Sequence, residues 1–415
     1  MSNFLWAPAD LPWRRGAALL AAALLLIGWL LNVSRPGRRA VGCAADCAAA
    51  PERQPGPLRL LSLNMLHGFP RFAHLEPRLD LIAAEIRRRD ADIVLLQEVP
   101  WTPQLGNAAH RLAAQTGYNF LYLRANGNRR AILFEEGEAI LSRYPLRDAS
   151  WIELEPQAGW FEHRLALRAT AATPWGDLPL IVTHLTNGDA AINRRQADAL
   201  RAFVESNMSP GAPAGTKIPH ARRWTSSKLV QPVREGSGGP VIVAGDFNAK
   251  EDSPQMQALA ARWVDAYRAV RPDEPGRTCC VDDLTAGPGE PLEKRIDYLF
   301  LVPGGEAHVI SARRVLTQPT RTAEGWLWAS DHVGLLVEVA LQEESAGFSG
   351  PKGPPPRGGP IPTAAGARPP GGPSPQPSAL RPPATPTAGG DRSRRRPAPR
   401  PATGPPPPVN SNKPR

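Results

Sequence analysis

Polar side chains suited to metal and proton chemistry follow short apolar runs at several places in the 415-residue chain. Asn64 follows the run Leu58–Leu63, and Glu98 comes two residues after the run Ile93–Leu96. A charged group at the end of a buried strand loses hydration, so it needs an oppositely charged or hydrogen-bonding partner, or a metal. His184, Asp246 and Asn248 follow further apolar runs, Asp297 interrupts one, and Asp331 and His332 precede the last predicted strand. One such residue is more typical of a turn, but the set predicts a site for a hard cation, phosphate and proton transfer.

The elements that must position these residues are many short apolar strands and a few amphipathic helices. Predicted strands cover residues 58–63, 93–97, 120–123, 140–142, 164–169, 178–184, 240–244, 296–302 and 333–341. Predicted helices cover residues 75–88, 104–115, 190–206 and 253–261. Many strands with few helices between them indicate a layered α/β domain, in which two packed mixed β-sheets are flanked by helices.

Composition divides the chain into three segments. Residues 58–344 form the predicted catalytic domain, with a predicted flexible insertion at 209–239 that is rich in Pro, Gly, Ser and basic residues. Residues 345–415 are dense in Pro and Gly and have few large apolar residues, so we predict a disordered tail. Residues 1–57 form an N-terminal apolar anchor or export signal with a linker.

The N-terminal apolar segment spans residues 16–33, carries no charge, and has Arg14 and Arg15 in front of it. At ~1.5 Å per residue a helix of this length nearly spans a ~30 Å hydrocarbon layer. A membrane anchor and a cleaved export signal both fit the pattern. We therefore expect the membrane to be a partner of the chain and the catalytic domain to lie outside the cytoplasm.

The formal net charge of +10 does not reside in the predicted catalytic domain. Residues 345–415 carry +10 and residues 1–57 carry +3, which leaves −3 for residues 58–344. Tight binding of long duplex nucleic acid relies on many contacts from clustered Lys and Arg. Nucleic acid is therefore a less favoured partner than a phosphate ester of another kind. Separately, we expect the chain to be a monomer.

The candidate residues lie in short motifs that follow one another in a fixed order. These are Ser62-Leu63-Asn64, Gln97-Glu98-Val99, Ala139-Ile140-Leu141-Ser142, Thr183-His184-Leu185, Gly245-Asp246-Phe247-Asn248, Arg295-Ile296-Asp297-Tyr298 and Ser330-Asp331-His332. The ordered set resembles the endonuclease/exonuclease/phosphatase superfamily, which includes pancreatic-type deoxyribonucleases, inositol polyphosphate 5-phosphatases and bacterial sphingomyelinases. The resemblance covers about Leu58 to Leu341. It implies a four-layer α/β sandwich whose site lies at one edge of two facing sheets.

The resemblance implies a divalent cation held by Glu98 with help from Asn64 and Asp331. Mg²⁺, or Mn²⁺, suits these oxygen ligands and would polarise a phosphoryl oxygen. His184 would contact the phosphate or protonate the leaving oxygen. Arg164 is a further candidate for binding phosphate, although an exposed strand arginine without a role fits the sequence equally well.

The resemblance also implies the residues that handle water and protons. Asp246 and Asn248 would orient the attacking water and the phosphate. His332, held by Asp297, would be the base or proton relay, because a carboxylate partner fixes the imidazole tautomer and supports its charged form.

Two departures from the family pattern weigh against a nuclease. Leu66 stands where the nucleases have a second carboxylate, and Gly137-Glu138-Ala139 replaces the usual Gly-Asn-Ala. We therefore expect a metal-dependent phosphodiesterase or phosphatase, with a membrane lipid head group as one candidate substrate. An anchored or secreted endonuclease is the alternative, and a silent binding module with a Pro-rich docking tail is less favoured. The adjacent Cys279 and Cys280 are either a vicinal disulfide or two thiols.

Overall fold

The structure of the protein is a computed structural model. It describes residues 12–30, 33–43, 47–48, 56–207, 222–223, 240–289, 291–304 and 307–341. The predicted tail at 345–415 and nearly all of the predicted insertion at 209–239 lie outside the described residues, so their predicted disorder stays a prediction.

The described residues form the following helices and strands. The helices are α1 Pro12–Leu30, α2 Leu75–Arg89, α3 Ala108–Thr116, α4 Ala190–Ser206, α5 Pro254–Ala260 and α6 Ala266–Val270. The strands are β1 Val41–Gly42, β2 Leu58–Asn64, β3 Ile93–Thr102, β4 Gly106–Asn107, β5 Asn119–Asn128, β6 Phe134–Ser142, β7 Leu146–Glu153, β8 Leu165–Thr173, β9 Gly176–His184, β10 Arg222–Arg223, β11 Val241–Asp246, β12 Val264–Asp265, β13 Asp297–Val302, β14 Ala307–Val315, β15 Thr320–Thr322, β16 Gly325–Leu327 and β17 Gly334–Leu341.

Two large mixed sheets account for most of the described strands. The first sheet has the order β1-β5-β6-β3-β2-β17-β14, with β4 paired to β3. The second has the order β10-β7-β8-β9-β11-β13-β12. Each contains one parallel pair beside its antiparallel pairs, β2 with β3 in the first sheet and β9 with β11 in the second.

The two sheets pack face to face, and helices cover their outer faces. The alternation of side chains along a strand decides which residues face which layer. Leu58 and Leu60 of β2 lie in the core between the sheets, whereas Leu61 and Leu63 pack under α2 and α3. On the second sheet Val243 packs under α4 and α5. The result is the four-layer α/β sandwich expected from the sequence, and that prediction of fold class is confirmed.

Local chemistry explains where the boundaries differ from those predicted. The helix predicted from residue 104 begins at Ala108, because the Asn107 side chain accepts a hydrogen bond from the His110 N–H and caps the helix there. Strands β7 and β14 were not predicted. In β14 most positions are exposed or half-buried, so this edge strand lacks the apolar run that signals a buried strand.

The N-terminal apolar segment forms α1, whose leucines are largely exposed. Among the described residues, no helix has both the length and the apolar character needed to cross a membrane. Residues 31 and 32 of the predicted segment lie outside the described residues.

Candidate active site

Strand pairing brings the predicted site residues to one edge of the sandwich. On the second sheet, Asp246 at the end of β11 is in register with both His184 of β9 and Asp297 of β13. On the first sheet, Asn64 ends β2 and is paired with the residue before Glu98. Residues far apart in sequence therefore meet because the strands that carry them end together.

Glu98 lies at an irregularity of β3, where the pairing with β6 shifts register and the backbone is left-handed (φ 54°). Its carboxylate accepts hydrogen bonds from Asn64 Nδ2 at 3.1 Å and from the His67 backbone N–H at 3.2 Å. Burial alone would raise the pKa of Glu98, but the neighbouring His67 and His184 and the Asn64 hydrogen bond lower it to about 2. Glu98 is therefore ionised and suited to a cation.

Asn64 connects the two halves of the site. Its Nδ2 donates to Asp246 Oδ2 at 3.1 Å as well as to Glu98, and its Oδ1 accepts the Leu66 N–H at 3.1 Å. In this arrangement the amide nitrogen of Asn64, and not its oxygen, faces the two carboxylates. Asn64 thus links Glu98 and Asp246, and its predicted role in holding the cation stays a prediction.

His332 and Asp297 form a buried pair. His332 Nδ1 lies 2.9 Å from Asp297 Oδ2, and His332 Nε2 lies 3.8 Å from Asp246 Oδ2. Burial would lower the pKa of His332, but Asp297, Asp246 and Asp331 raise it well above its ordinary value. Burial and the nearby Asp297 raise the pKa of Asp246 to about 7. The His332 imidazole is therefore favoured in its charged form, and it lies beside the Asp246 carboxyl, whose pKa is close to neutral.

His184, Asn248 and Arg164 lie on the other side of Asp246. The Asn248 N–H donates to Asp246 Oδ1 at 2.8 Å, and its Nδ2 lies 3.0 Å from His184 Nε2. Arg164 Nη1 lies 2.9 Å from His184 Nδ1. Burial and the Arg164 charge lower the pKa of His184 well below its ordinary value. A neutral His184 can accept from Arg164 through Nδ1, and the Asn248 Nδ2 donates to the Leu185 carbonyl oxygen at 3.0 Å. Arg164 and Asn248 would be the groups that face a phosphate.

Asp331 precedes His332 and approaches the Glu98 side of the site. Ser330 Oγ lies within hydrogen-bond distance of both Asp331 Oδ1 (3.2 Å) and the Asn64 carbonyl oxygen (2.7 Å). Burial raises the pKa of Asp331. A nearby cation would favour its ionised form. Asp331 is thus a second carboxylate whose charge interacts with that of Glu98.

The site opens into a cavity of about 480 Å³. It is lined by His67, Glu98, Asn126, Glu136, Gly159, Phe161, Glu162 and Arg164. A carboxylate suited to a cation and a guanidinium suited to phosphate therefore line the same space.

Sequence analysis did not predict the role of Arg78, which is 1% exposed. Its guanidinium donates to the carbonyl oxygens of Met65 (3.0 Å) and Leu66 (2.9 Å) and lies 3.4 Å from that of Ala329. It thereby joins the loop after Asn64 to the loop before His332. The sequence contains a pattern that could have indicated this role, because Arg78 lies on the apolar face of α2 between Leu75 and Leu79.

Cys279 and Cys280 are joined as a vicinal disulfide, which selects one of the two alternatives left open by the sequence. Cys279 forms an isolated β-bridge with His332, and the Val333 N–H donates to the Thr278 carbonyl oxygen at 2.8 Å. This segment therefore holds the backbone on which His332 is placed.

The residues fit a divalent metal ion on the chemistry of their donors. Glu98 supplies an ionised carboxylate, and Asp331 a second oxygen donor close enough for the two charges to interact. Asp246, Asp297 and His332 form another group whose donor atoms lie within 4.8 Å of one another. Oxygen donors of this kind suit Mg²⁺ or Mn²⁺.

Solved structures show the same fold. The chain superimposes on an endonuclease/exonuclease/phosphatase family protein from Bacteroides thetaiotaomicron with a TM-score of 0.51 and 17% identity, covering 70% of this chain and 100% of that one. For the mannosyl-6-phosphatase of Bacteroides thetaiotaomicron VPI-5482 the TM-score is 0.50 at 17% identity, covering 68% and 99%. At these identities the likeness concerns the fold alone. Among curated proteins, no sequence matches this chain.

A family model covers most of the domain that carries the site. The model described as "Endonuclease/Exonuclease/phosphatase family" matches residues 61–332, which begins in β2 and ends at His332. This span is more than half of the chain and includes every candidate residue from Asn64 to His332. The chain therefore belongs to the endonuclease/exonuclease/phosphatase family, whose members hydrolyse phosphate esters.

Proposed function

We propose that the chain is a divalent-metal-dependent hydrolase that cleaves phosphate esters by direct attack of water. The observation that carries the proposal is the convergence of Glu98, Asp246 and the His332–Asp297 pair at one edge of the sandwich. These groups supply a cation ligand, a proton acceptor and a positive charge around one space. None of them is a covalent nucleophile activated by a neighbouring base.

Asp246 is the group best suited to accept the proton of the attacking water. Its pKa, raised to about 7 by burial and Asp297, lies near the pH at which a general base is most effective. The Asn64 amide and the Asn248 N–H each donate to one of its two oxygens, so the carboxylate is held in a single orientation. The water would lie beside it, in line with the phosphate.

His332 and Arg164 supply positive charge on the phosphate side. His332 keeps its proton because Asp297 supports the imidazolium, and Nε2 is the ring nitrogen left to face the substrate. Arg164 is held by Glu162 at 3.1 Å and by His184. A cation bound by Glu98 and Asp331 would polarise a phosphoryl oxygen and offset charge in the transition state.

The substrate is expected to be a small or lipid-linked phosphate ester in preference to a long nucleic acid. The formal charge of residues 58–344 is −3, which does not favour a polyanion. A chain held at a membrane or exported through it by its N-terminus, with its catalytic domain outside the cytoplasm, would meet such esters at the membrane surface.

A substrate panel tests the proposal. The purified chain would be assayed with a soluble aryl phosphodiester, phosphoinositides, sphingomyelin and plasmid DNA, with Mg²⁺ or with chelator. We expect metal-dependent release from the soluble ester and from at least one lipid. Cleavage of DNA alone would replace the proposal with an endonuclease. No hydrolysis of any ester at any metal concentration would refute an enzymatic role.

A further inference from the structure

Two loops beside the cavity expose large apolar side chains. Phe69 is 45% exposed and Leu133 is 56% exposed. The Phe69 ring stacks on Phe134 at 4.6 Å, and Phe72 lies 5.6 Å from the same ring. The loops at 67–74 and 129–134 are thus held together by one aromatic cluster. We refer to Phe69, Arg71, Phe72, Arg130 and Leu133 as the rim patch.

The rim patch is directly connected to the candidate active site. Phe134, under the patch, packs against the His67 ring at 5.2 Å, and His67 Nε2 lies 3.4 Å from Glu98 Oε2. Phe161, on another wall of the same cavity, is 54% exposed, and the adjacent Trp160 is 50% exposed. Apolar side chains therefore reach solvent on more than one side of the cavity entrance.

The backbone holds part of this patch in an unfavourable conformation. Leu133 (φ 58°) and Phe72 (φ 50°) are both in the left-handed region, which large side chains rarely adopt. At Leu133 this conformation presents the side chain to solvent, so the hydrophobic core gains nothing from it. Strain of this kind is found mostly at binding and functional sites.

Exposed cations alternate with the apolar groups of the rim patch. Arg71 and Arg130 are exposed, and among the described residues neither guanidinium has an acidic partner within 4 Å. The loops at 67–74 and 129–134 contain no Asp or Glu. Apolar side chains that can insert into a lipid layer, beside cations that can meet phosphates, are typical of proteins that bind anionic membrane surfaces.

A lipid surface fits these observations better than a nucleic acid does. Two free cations are few for a polyanion, whose affinity grows with the number of phosphate contacts. Leu133, the most exposed apolar member of the patch, has no flat face on which a base could stack. Helix α1 of the same chain also exposes apolar side chains, with Leu19 at 72% and Leu25 at 75%.

We infer that the rim patch docks on an anionic lipid bilayer and places the cavity over a phosphate ester in the membrane surface. The inference rests on the proposed function for its substrate, but the docking itself is measurable without catalysis. It assigns Phe69 and Leu133 to the lipid phase and Arg71 and Arg130 to lipid phosphates.

A fluorescent label at the patch gives the test. All four cysteines of the chain are paired, so Leu133→Cys in the full chain adds a single thiol for a nitrobenzoxadiazole fluorophore. On vesicles of phosphatidylcholine with phosphatidylglycerol, we expect a blue shift and a several-fold rise in emission. The matched control is labelled Ile310→Cys, which is 47% exposed on β14. It should not respond, even if α1 brings the chain to the vesicle.

Charge variants separate lipid phosphate contacts from simple insertion. Arg71→Gln with Arg130→Gln should raise the lipid concentration for half-maximal response by roughly tenfold. The control pair, Arg194→Gln with Arg195→Gln on the exposed face of α4, should leave it unchanged. Hydrolysis of a soluble aryl phosphodiester should be the same in all variants, since none of these residues is placed in the catalytic machinery.

Several results would overturn the inference. These are no response at position 133, equal responses at positions 133 and 310, equal responses on vesicles with and without phosphatidylglycerol, or a response to an oligothymidine in place of vesicles. A response at position 133 in a chain that hydrolyses no ester would support docking while removing the proposed function, so the two failures are distinguishable.

Discussion

Two carboxyl groups, one from each sheet, meet at the active site with pKa values shifted in opposite directions. Glu98 on the first sheet has a pKa of about 2, and Asp246 on the second has a pKa of about 7. Glu98 is half-buried and lines the cavity, Asp246 is buried, and both accept a hydrogen bond from the Asn64 amide at 3.1 Å. Burial raises both pKa values, so the remaining neighbours decide the difference. His67 and His184 lower the pKa of Glu98, whereas for Asp246 the carboxylate of Asp297 outweighs the opposing effect of His332.

The comparison indicates a division of labour between the sheets. The first sheet provides a group that stays ionised and can hold a cation. The second provides a group that can exchange a proton near neutral pH. Paired titratable groups with diverging pKa values are a frequent mark of acid–base sites.

The largest effect is expected from loss of the cation ligand. Glu98→Gln, or excess chelator with the wild-type chain, should lower turnover of a soluble aryl phosphodiester by about 10³-fold or more. Mg²⁺ binding, measured by calorimetry, should be lost in Glu98→Gln but retained in Asp246→Asn. The reason is that Glu98 is the carboxyl group that is already ionised before a metal binds. Full turnover in excess chelator would refute the metal-dependent mechanism.

The His332–Asp297 pair should show strong coupling. His332→Ala should lower turnover by roughly 10²-fold while the protein stays folded. Asp297→Asn should act in the same direction, since it keeps the shape but removes the charge that supports the imidazolium. The double variant should be far less impaired than the product of the two single losses, because residues acting as a unit are non-additive.

Kinetics and thermal melting of the three variants provide this check. A nearly silent His332→Ala, or single losses that multiply fully in the double variant, would remove the pair from the mechanism. Most of the catalytic effect would then come from the cation held by Glu98.

A smaller effect concerns the stability cost of ionised Asp246. Its folded-state pKa, about 7, lies above the ordinary value of 3.8, so the folded state prefers the protonated carboxyl and loses stability as pH rises between these values. In chelator at pH 8, Asp246→Asn should therefore raise the melting temperature by about 3–6 °C, the shift expected for 1–2 kcal/mol.

At pH 4 the gain from Asp246→Asn should largely disappear, because the wild-type carboxyl is then protonated in the folded state. Glu98→Gln should behave in the opposite way and lower stability at pH 8, where the wild-type carboxylate is ionised and hydrogen-bonded. Equal pH profiles for the two variants would contradict the difference between the two carboxyl groups.

The smallest effect is expected from deletion of residues 345–415. Both carboxyl groups and all their partners lie between Asn64 and His332, so the truncated chain should keep its melting temperature and its activity on the soluble ester. A large loss of either, measured side by side with the full chain, would show that the tail contributes to the folded domain.

The fold could be predicted because buried strands leave a local record. In β2 and β9, apolar runs end in Asn64 and His184, and the order of such endings identified the family and its layers. Strand β14 left no such record. It lies at the edge of its sheet with exposed positions, and its pairing with β17 is visible only in three dimensions.

The sequence by itself determined which side chains stand at strand ends and which chemistry they suit. Only the tertiary structure decided how they act, because a pKa depends on neighbours that the chain brings from far away. Asn64 and Asp246 are separated by 182 positions, yet their hydrogen bond connects the two halves of the site. Arg78 is likewise joined to Ala329 across 251 positions. Residue type is a local property, whereas burial, charge proximity and the direction of an amide are properties of the assembled sheets.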